Sequence, residues 1–85
     1  MFLAKIFIRL KPTVNDPQGL TIQGGLTQLG FDSVISVRTG KYMEILLDES
    51  TDADASEKIR SMCKELLSNP LIEDYDFELK LVDTT

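Results

Sequence analysis

The sequence predicts an α+β domain in the order β-α-β-β-α-β, with an antiparallel sheet and two helices on one of its faces. Two apolar, β-branched runs in the middle of the chain, Val34 to Arg38 and Tyr42 to Leu47, have the length of strands and are joined at Thr39-Gly40-Lys41. Glycine at such a junction is typical of a tight hairpin. One strand and one helix are predicted before this hairpin, and one helix and one strand after it.

The first half of the chain has the pattern of a strand followed by a helix. Phe2 to Leu10 alternates apolar residues on one face with a mixed second face, and Pro12 ends the run. Asp16-Pro17 has the form of a helix N-cap followed by proline at the first helical position. The helix is predicted from about Pro17 to Leu29, with Gly30 as its left-handed C-terminal cap. Within it we expect Gly25 to allow close contact between helix and sheet.

The second half has the pattern of a helix followed by a strand. Asp54 with Glu57 resembles a capping box, and Thr51 with Asp54 is an equally good helix start. The alternation from Ile72 to Leu81 predicts a strand with one buried and one solvated face. The apolar face of the helix is expected at Ala55, Ile59, Met62, Cys63, Leu66 and Leu67.

Length and charge limit the class of protein. We expect one domain over residues 1–85, because 85 residues make one small core. No run approaches the ~18 apolar residues of a membrane span, and the N-terminus lacks the features of a signal peptide, so we expect a cytoplasmic protein. The net charge of −5 argues against a nucleic-acid partner, since phosphate neutralisation dominates such binding.

The predicted sheet has more apolar surface than two helices can cover. The first three strands carry apolar side chains on both faces, and an uncovered patch of this kind marks an interaction surface. A symmetric dimer or higher oligomer that pairs the open sheet faces or edges is the usual solution. We therefore expect a dimer interface that includes Leu3, Phe7, Val37, Tyr42 and Leu46.

The side chains provide little of what catalysis requires. The chain has no histidine, and Cys63 is its only cysteine. The serines lack a nucleophile elbow, and the acidic run from Asp48 to Glu57 lacks the ligand spacing of a calcium loop. We predict neither a catalytic residue nor a metal site. Arg38 and Lys41 flank Gly40 in an otherwise acidic chain and are interpreted either as solvated charges or as a contact for a partner protein.

Several segments together resemble one known family. The sequence is similar to the PurS family, the small subunit of bacterial and archaeal phosphoribosylformylglycinamidine synthase. The matching segments occur in the family's order and spacing over nearly the whole chain. They are Leu10-Lys11-Pro12, Asp16-Pro17-Gln18-Gly19, Leu29-Gly30-Phe31, Val37-Arg38-Thr39-Gly40-Lys41-Tyr42, Met62-Cys63-Lys64-Glu65-Leu66-Leu67 and Asn69-Pro70-Leu71-Ile72-Glu73-Asp74-Tyr75.

The resemblance implies a ferredoxin-like, PurS-like fold and a role in purine biosynthesis. In that family a glutaminase subunit releases ammonia, and a large ATP-dependent subunit uses it to make formylglycinamidine ribonucleotide. The small subunit is dimeric, bridges the other two, is thought to assist ammonia transfer and has no catalytic residues. The resemblance thus implies no cofactor for this chain, because ATP, magnesium and glutamine are used by the partner subunits.

The same resemblance indicates which residues contact partners. Arg38, Gly40, Lys41 and Tyr42 match the family's central motif, whereas Thr39 stands where an aliphatic residue is expected. The helix-start motif is matched by Asp16, Pro17, Gln18 and Gly19, for which a purely structural role as cap and first turn is the alternative.

A second class of function remains open at this point. A β-α-β-β-α-β domain can also dimerise into a regulatory module that binds a small metabolite between subunits, and fold alone does not exclude this. Such a module binds its metabolite without other subunits, which distinguishes it from a bridging subunit.

Overall fold

The computed structural model describes residues 1–82 and shows an α+β chain with a three-stranded antiparallel sheet. Residues 83–85 of the predicted single domain lie outside the described residues. The strands are ordered β2-β1-β3, so that β1 is central and pairs antiparallel with both neighbours. The elements are β1 (Phe2–Leu10), α1 (Pro17–Gln28), β2 (Gly40–Leu47), α2 (Asp52–Met62), a π-helical turn (Cys63–Leu67) and β3 (Glu73–Leu81).

The core lies between the sheet and α2. Alternate residues of β1 face the helix and are fully or almost fully buried, as period-two alternation in a central strand requires. α2 packs on β1 and β3, and its first turn is capped by the Thr51 hydroxyl, which accepts a hydrogen bond from the Asp54 N–H. Of the two predicted helix starts, Thr51 is therefore correct. The core consists of Ala4, Ile6, Ile8, Leu47, Ile59 and Cys63.

The end of α2 differs from the prediction at one residue. The N–H and the hydroxyl of Ser68 both donate to the Cys63 carbonyl, at 3.0 and 2.8 Å, which closes an i to i+5 turn. The wider turn rotates the last residues, so that Leu67 packs against the core and Leu66 is 82% exposed. The prediction that Leu66 lies on the buried face is wrong.

The α1 helix has the predicted ends but not the predicted packing. Asp16 caps it, Pro17 is its first residue, and Gly30 takes φ 96°, a left-handed conformation. Of its residues only Gly19 is buried, and α1 does not pack extensively on any strand. The expectation of two helices on one face of the sheet is therefore corrected to one, α2.

The predicted central hairpin is absent from the described residues. Val34 to Arg38 belongs to no strand, Gly40 has no positive φ, and β2 begins at Gly40 itself. The physical reason is that Asp16 and the loop after β1 capture the chain at Arg38 and Thr39, through the hydrogen bonds described below. The α+β class and the antiparallel sheet are confirmed, with three strands in residues 1–82 instead of four.

Neither helix of residues 1–82 is long and apolar enough to cross a membrane.

Candidate functional site

A groove of about 390 Å³ lies where β1 ends, α1 begins and β2 begins. It brings together residues of the two predicted contact motifs, which are separated by more than twenty positions in the sequence. The helix-start motif contributes Asp16, Pro17 and Gln18, and the central motif contributes Gly40 and Lys41. The rest of the lining consists of Arg9, Leu10, Thr39 and Glu73.

Asp16 organises the groove. Its side chain accepts hydrogen bonds from the Thr39 N–H at 2.6 Å, from the Thr39 hydroxyl at 2.9 Å and from the Gly19 N–H at 2.9 Å. The residue is 3% exposed. The donors, of which the Thr39 N–H has the largest effect, hold the pKa of Asp16 below its usual value of 3.8. One carboxylate thus caps α1 and fixes the chain that enters β2.

Two glycines let the chain segments around the groove approach closely. A Cβ at Gly40 would lie 2.5 Å from the Ile8 carbonyl oxygen, so the first pair of the β1–β2 ladder requires glycine there. A Cβ at Gly19 would collide with the Val37 carbonyl oxygen in the same way. The requirement at Gly40 is therefore for close backbone contact and not for a turn.

Arg38 lies beside the groove and stabilises the loop between β1 and α1. Its guanidinium donates to the Lys11 carbonyl at 2.9 Å and to the Val14 carbonyl at 2.8 Å. Arg38 and Lys41 therefore have different environments, because Lys41 lines the groove and pairs with Glu73 at 3.6 Å. The Lys41 side chain is 61% exposed, which leaves its charge available to a partner.

Tyr42, the remaining residue of the central motif, lies on the face of the sheet that points away from α2. We call this the outer face; it carries Leu3, Phe7, Tyr42 and Leu46. The Tyr42 and Phe7 rings are 5.2 Å apart, and Leu3 pairs with Leu46. Desolvation, and then the hydrogen bond to Glu44, raise the pKa of Tyr42.

The predicted dimer residues are thus divided between two places. Four lie on the outer face, where Lys5 and Glu44 separate the Phe7–Tyr42 pair from the Leu3–Leu46 pair. The fifth, Val37, lies outside the sheet, with its carbonyl oxygen over Gly19. Their role in a dimer stays a prediction.

Comparison with known families identifies the chain. The model of the PurS family, described as phosphoribosylformylglycinamidine (FGAM) synthase, matches residues 3–81. The chain belongs to the PurS family. The PurS subunit of Synechocystis sp. is 44% identical over 79 residues, which are 93% of this chain and 79% of the relative.

Solved PurS structures have the same fold. The PurS crystal structure from Methanocaldococcus jannaschii superposes with a TM-score of 0.87 at 38% identity, over 98% of this chain and 100% of that one. The structure described as PurLQS from Thermotoga maritima contains a chain that superposes with a TM-score of 0.83 at 26% identity, over 94% of this chain and 99% of that one. The fold described here is therefore that of PurS, and the ferredoxin-like α+β class is confirmed.

Four lining residues of the groove, Arg9, Leu10, Thr39 and Glu73, are not among the contact residues predicted from the PurS motifs. Arg9 and Glu73 come from strand ends, and the alternating patterns of those strands predict only which face each residue occupies. Thr39 stands out in the sequence only as a departure from the PurS pattern. The structure gives it a role, because its hydroxyl adds a second donor to Asp16 that an aliphatic side chain lacks.

Proposed function

We propose that this chain is the non-catalytic bridging subunit of an FGAM synthase complex. In this role it joins a glutaminase subunit to an ATP-dependent synthetase subunit and assists ammonia transfer between them in the cytoplasm. Support comes from membership of the PurS family and from the PurLQS assembly of the T. maritima relative. The observation that carries the proposal is the groove, where two PurS motifs meet around one buried carboxylate.

The chemistry of the side chains supports a structural role in the complex. The chain has no histidine, and its one thiol, Cys63, is fully buried in the core. Burial raises the pKa of Cys63, which disfavours the thiolate that a cysteine nucleophile requires. ATP, magnesium and glutamine are accordingly assigned to the partner subunits.

The groove is the proposed site of contact with a partner subunit. Lys41 offers an exposed cation at its rim, and Pro17 and Gln18 offer exposed, uncharged surface beside it. A rim charge acts mainly on the rate of association and on specificity, so its reversal weakens assembly without unfolding the subunit. The proposed partner surface is therefore acidic where it meets Lys41.

A matched pair of variants tests this contact. Lys41→Glu reverses a charge in the groove, and Lys58→Glu reverses a charge on α2; both lysines are 61% exposed and each pairs with one carboxylate, at 3.6 and 3.3 Å. We expect Lys41→Glu to weaken co-assembly with the two partner subunits about tenfold and Lys58→Glu to leave it unchanged. Equal effects of the two variants would place the contact elsewhere. Arg38 is not suited to this test, because it holds the loop before α1.

The function itself is tested with the whole complex. The chain is mixed with the glutaminase and large subunits of the same organism, with glutamine and a magnesium nucleotide present, and co-elution is measured together with product formation. We expect glutamine-dependent turnover to require this chain and turnover with free ammonia to require it less. Turnover that is indifferent to the chain under both conditions would contradict the proposal.

One observation also supports a small-metabolite regulatory module. The groove volume of about 390 Å³ falls within the ~300 to 1,000 Å³ that small-molecule sites occupy. Calorimetry of the isolated protein with free amino acids and nucleotides separates the two functions. Saturable binding without partner subunits favours the module, and no binding together with co-elution favours the bridging subunit.

A further inference from the structure

Two leucines near the groove are almost fully exposed. Leu66 lies on the π-helical turn and is 82% exposed, and Leu71 lies between that turn and β3 and is 85% exposed. Single exposed apolar residues are common on protein surfaces and need no explanation. These two differ, because hydrogen bonds within the chain hold each of them in its exposed position.

The exposure of Leu66 is fixed by Ser68. Ser68 is buried, and its N–H and hydroxyl both donate to the Cys63 carbonyl. As a result Leu67 packs against the core in place of Leu66. A regular α-helix would have placed Leu66 on the buried face, seven residues after Ile59. π-Helical turns are rare and frequently lie at functional sites. The fold therefore exposes a leucine that a regular helix would bury.

The exposure of Leu71 is fixed by residues 69–73, which we call the Asn69 turn. The Asn69 side chain accepts a hydrogen bond from the Leu71 N–H at 3.2 Å. The Asn69 carbonyl accepts from the N–H groups of Ile72 and Glu73, at 3.0 and 2.7 Å. The Ile72 carbonyl accepts from the Lys11 N–H at 2.8 Å, which ties the turn to the chain just after β1. Leu71 therefore projects from an ordered backbone.

One carboxylate connects the Asn69 turn to the groove. Glu73 Oε1 accepts a hydrogen bond from the Asn69 N–H at 2.7 Å, and Glu73 Oε2 pairs with the Lys41 ammonium at 3.6 Å. The Glu73 side chain is only 11% exposed, so the surrounding chain holds it in place. The Asn69 turn and the Lys41 charge thus belong to one continuous surface.

This surface has the size of a single contact. Leu66 and Leu71 are five residues apart, so their Cα atoms are at most about 18 Å apart. Glu73, which pairs with Lys41, is only two residues further along the chain. A patch of the ~800 Å² that one partner contributes to a standard interface is roughly 30 Å across. Both leucines and the lysine therefore fit within one interface.

The chemistry of the surface indicates a protein partner. Leucines that are more than four-fifths exposed project outward and do not line a cavity, so they suit a pocket on another protein and not a small molecule. The net charge of −5 disfavours an anionic membrane surface. Two apolar side chains beside an exposed charge match the apolar core and polar rim of a protein–protein interface.

We propose that Leu66 and Leu71 are the apolar anchors of the contact that Lys41 makes with a partner subunit. The partner has an apolar pocket for these leucines next to the carboxylate that faces Lys41. Because the backbone that carries both leucines is already ordered, binding costs less conformational entropy. This inference rests on the proposed bridging function and extends its contact surface from the groove to the π-helical turn.

Three leucine-to-alanine variants test the surface. Leu66→Ala and Leu71→Ala remove the proposed anchors, and Leu81→Ala is the control. Leu81 is 69% exposed and ends β3 at the opposite end of the sheet from the groove, because Glu73 begins that strand. Fluorescence anisotropy of the labelled chain measures its affinity for the mixed glutaminase and large subunits, with glutamine and a magnesium nucleotide present. Urea midpoints check that each variant is as stable as the unchanged protein.

We expect Leu66→Ala and Leu71→Ala each to raise the dissociation constant about tenfold, and the control to stay within about twofold of the unchanged protein. Unchanged affinity of both anchor variants would overturn the inference while the bridging function stands, as would an equal loss for Leu81→Ala. Failure of the unchanged protein to assemble would overturn the bridging function and the inference with it.

Glutamine-dependent turnover separates docking from ammonia transfer. When each variant is titrated into the complex, we expect the anchor variants to reach the same maximal rate at about ten times the concentration. A lower maximal rate with an unchanged half-saturating concentration would contradict an anchoring role. Sedimentation of the variants alone should match that of the unchanged protein, and a shift toward smaller species would assign the leucines to contact between copies and overturn the inference.

Asn69 is a positioning residue in this proposal, because it acts through Leu71. Asn69→Ala removes the acceptor for the Leu71 N–H, whereas Asn69→Ser keeps a side-chain oxygen that can form a similar turn. We expect alanine to weaken assembly about threefold and serine to restore it. Full assembly of Asn69→Ala, or no recovery with serine, would contradict the role of the turn.

Discussion

Replacing Ile59 by alanine removes the side chain that fixes α2 on the sheet. Ile59 is 0% exposed and packs with Ile6 and Ile8 of β1. Loss of buried methyl and methylene groups, with the cavity left behind, costs about 2 to 5 kcal/mol. Because β1 is hydrogen-bonded on both sides, it cannot move to fill the cavity, so we expect the upper part of this range, about 3 to 5 kcal/mol.

Urea unfolding followed by circular dichroism measures this loss at one fixed protein concentration, because the stability of a chain that self-associates depends on concentration. Leu66→Ala is the matched control. Leu66 follows Ile59 at i+7 and would share its buried face in a regular helix, but the π-helical turn leaves it 82% exposed. We expect its loss to stay below about 0.5 kcal/mol. Equal losses for the two variants would refute the π-helical turn, and no loss for Ile59→Ala would refute the docking of α2.

Two further predictions concern the groove. The N–H of Thr39 donates to the Asp16 carboxylate and lowers the pKa of Asp16 below 3.8. The ionised carboxylate therefore contributes its full stability above pH 3.8, and this contribution is lost as the pH falls toward the lowered pKa. Urea midpoints between about pH 2 and pH 6 should therefore fall less steeply for Asp16→Asn, and parallel profiles would contradict the assignment. Gly40→Ala should destabilise the protein, because the added Cβ meets the Ile8 carbonyl oxygen. Gly24→Ala is the control in α1: its Cβ enters open space, and alanine should stabilise the helix by up to about 1 kcal/mol. A higher urea midpoint for Gly40→Ala than for Gly24→Ala would exclude the close contact at Gly40.

Features that depend on neighbouring residues were predictable from the sequence. The alternation in β1 and β3 gives the buried face of each strand, and Asp16-Pro17 gives the start of α1. These patterns are sufficient because a strand face or a helix cap is determined by residues only a few positions apart.

Features that depend on distant contacts were not predictable in the same way. The exposure of Leu66 follows from the bond that the Ser68 hydroxyl adds to the Cys63 carbonyl, which apolar periodicity does not reveal. The two motifs of the groove can be recognised separately, but their convergence requires Asp16 to bind Thr39 across 23 positions. Arg38 shows the same limit, since its partners are backbone carbonyls and carry no sequence signal.

The segment from Val34 to Arg38 explains why a sound pattern led to a wrong hairpin. Its β-branched residues favour a strand, but the segment belongs to no strand within residues 1–82, and Ile35 is exposed. A sequence pattern states that a strand is favoured, but not which chain supplies its neighbour. Within residues 1–82 the hairpin does not form, because Asp16 binds Thr39 and Arg38 binds the loop after β1, and these bonds direct the chain outward before it can turn.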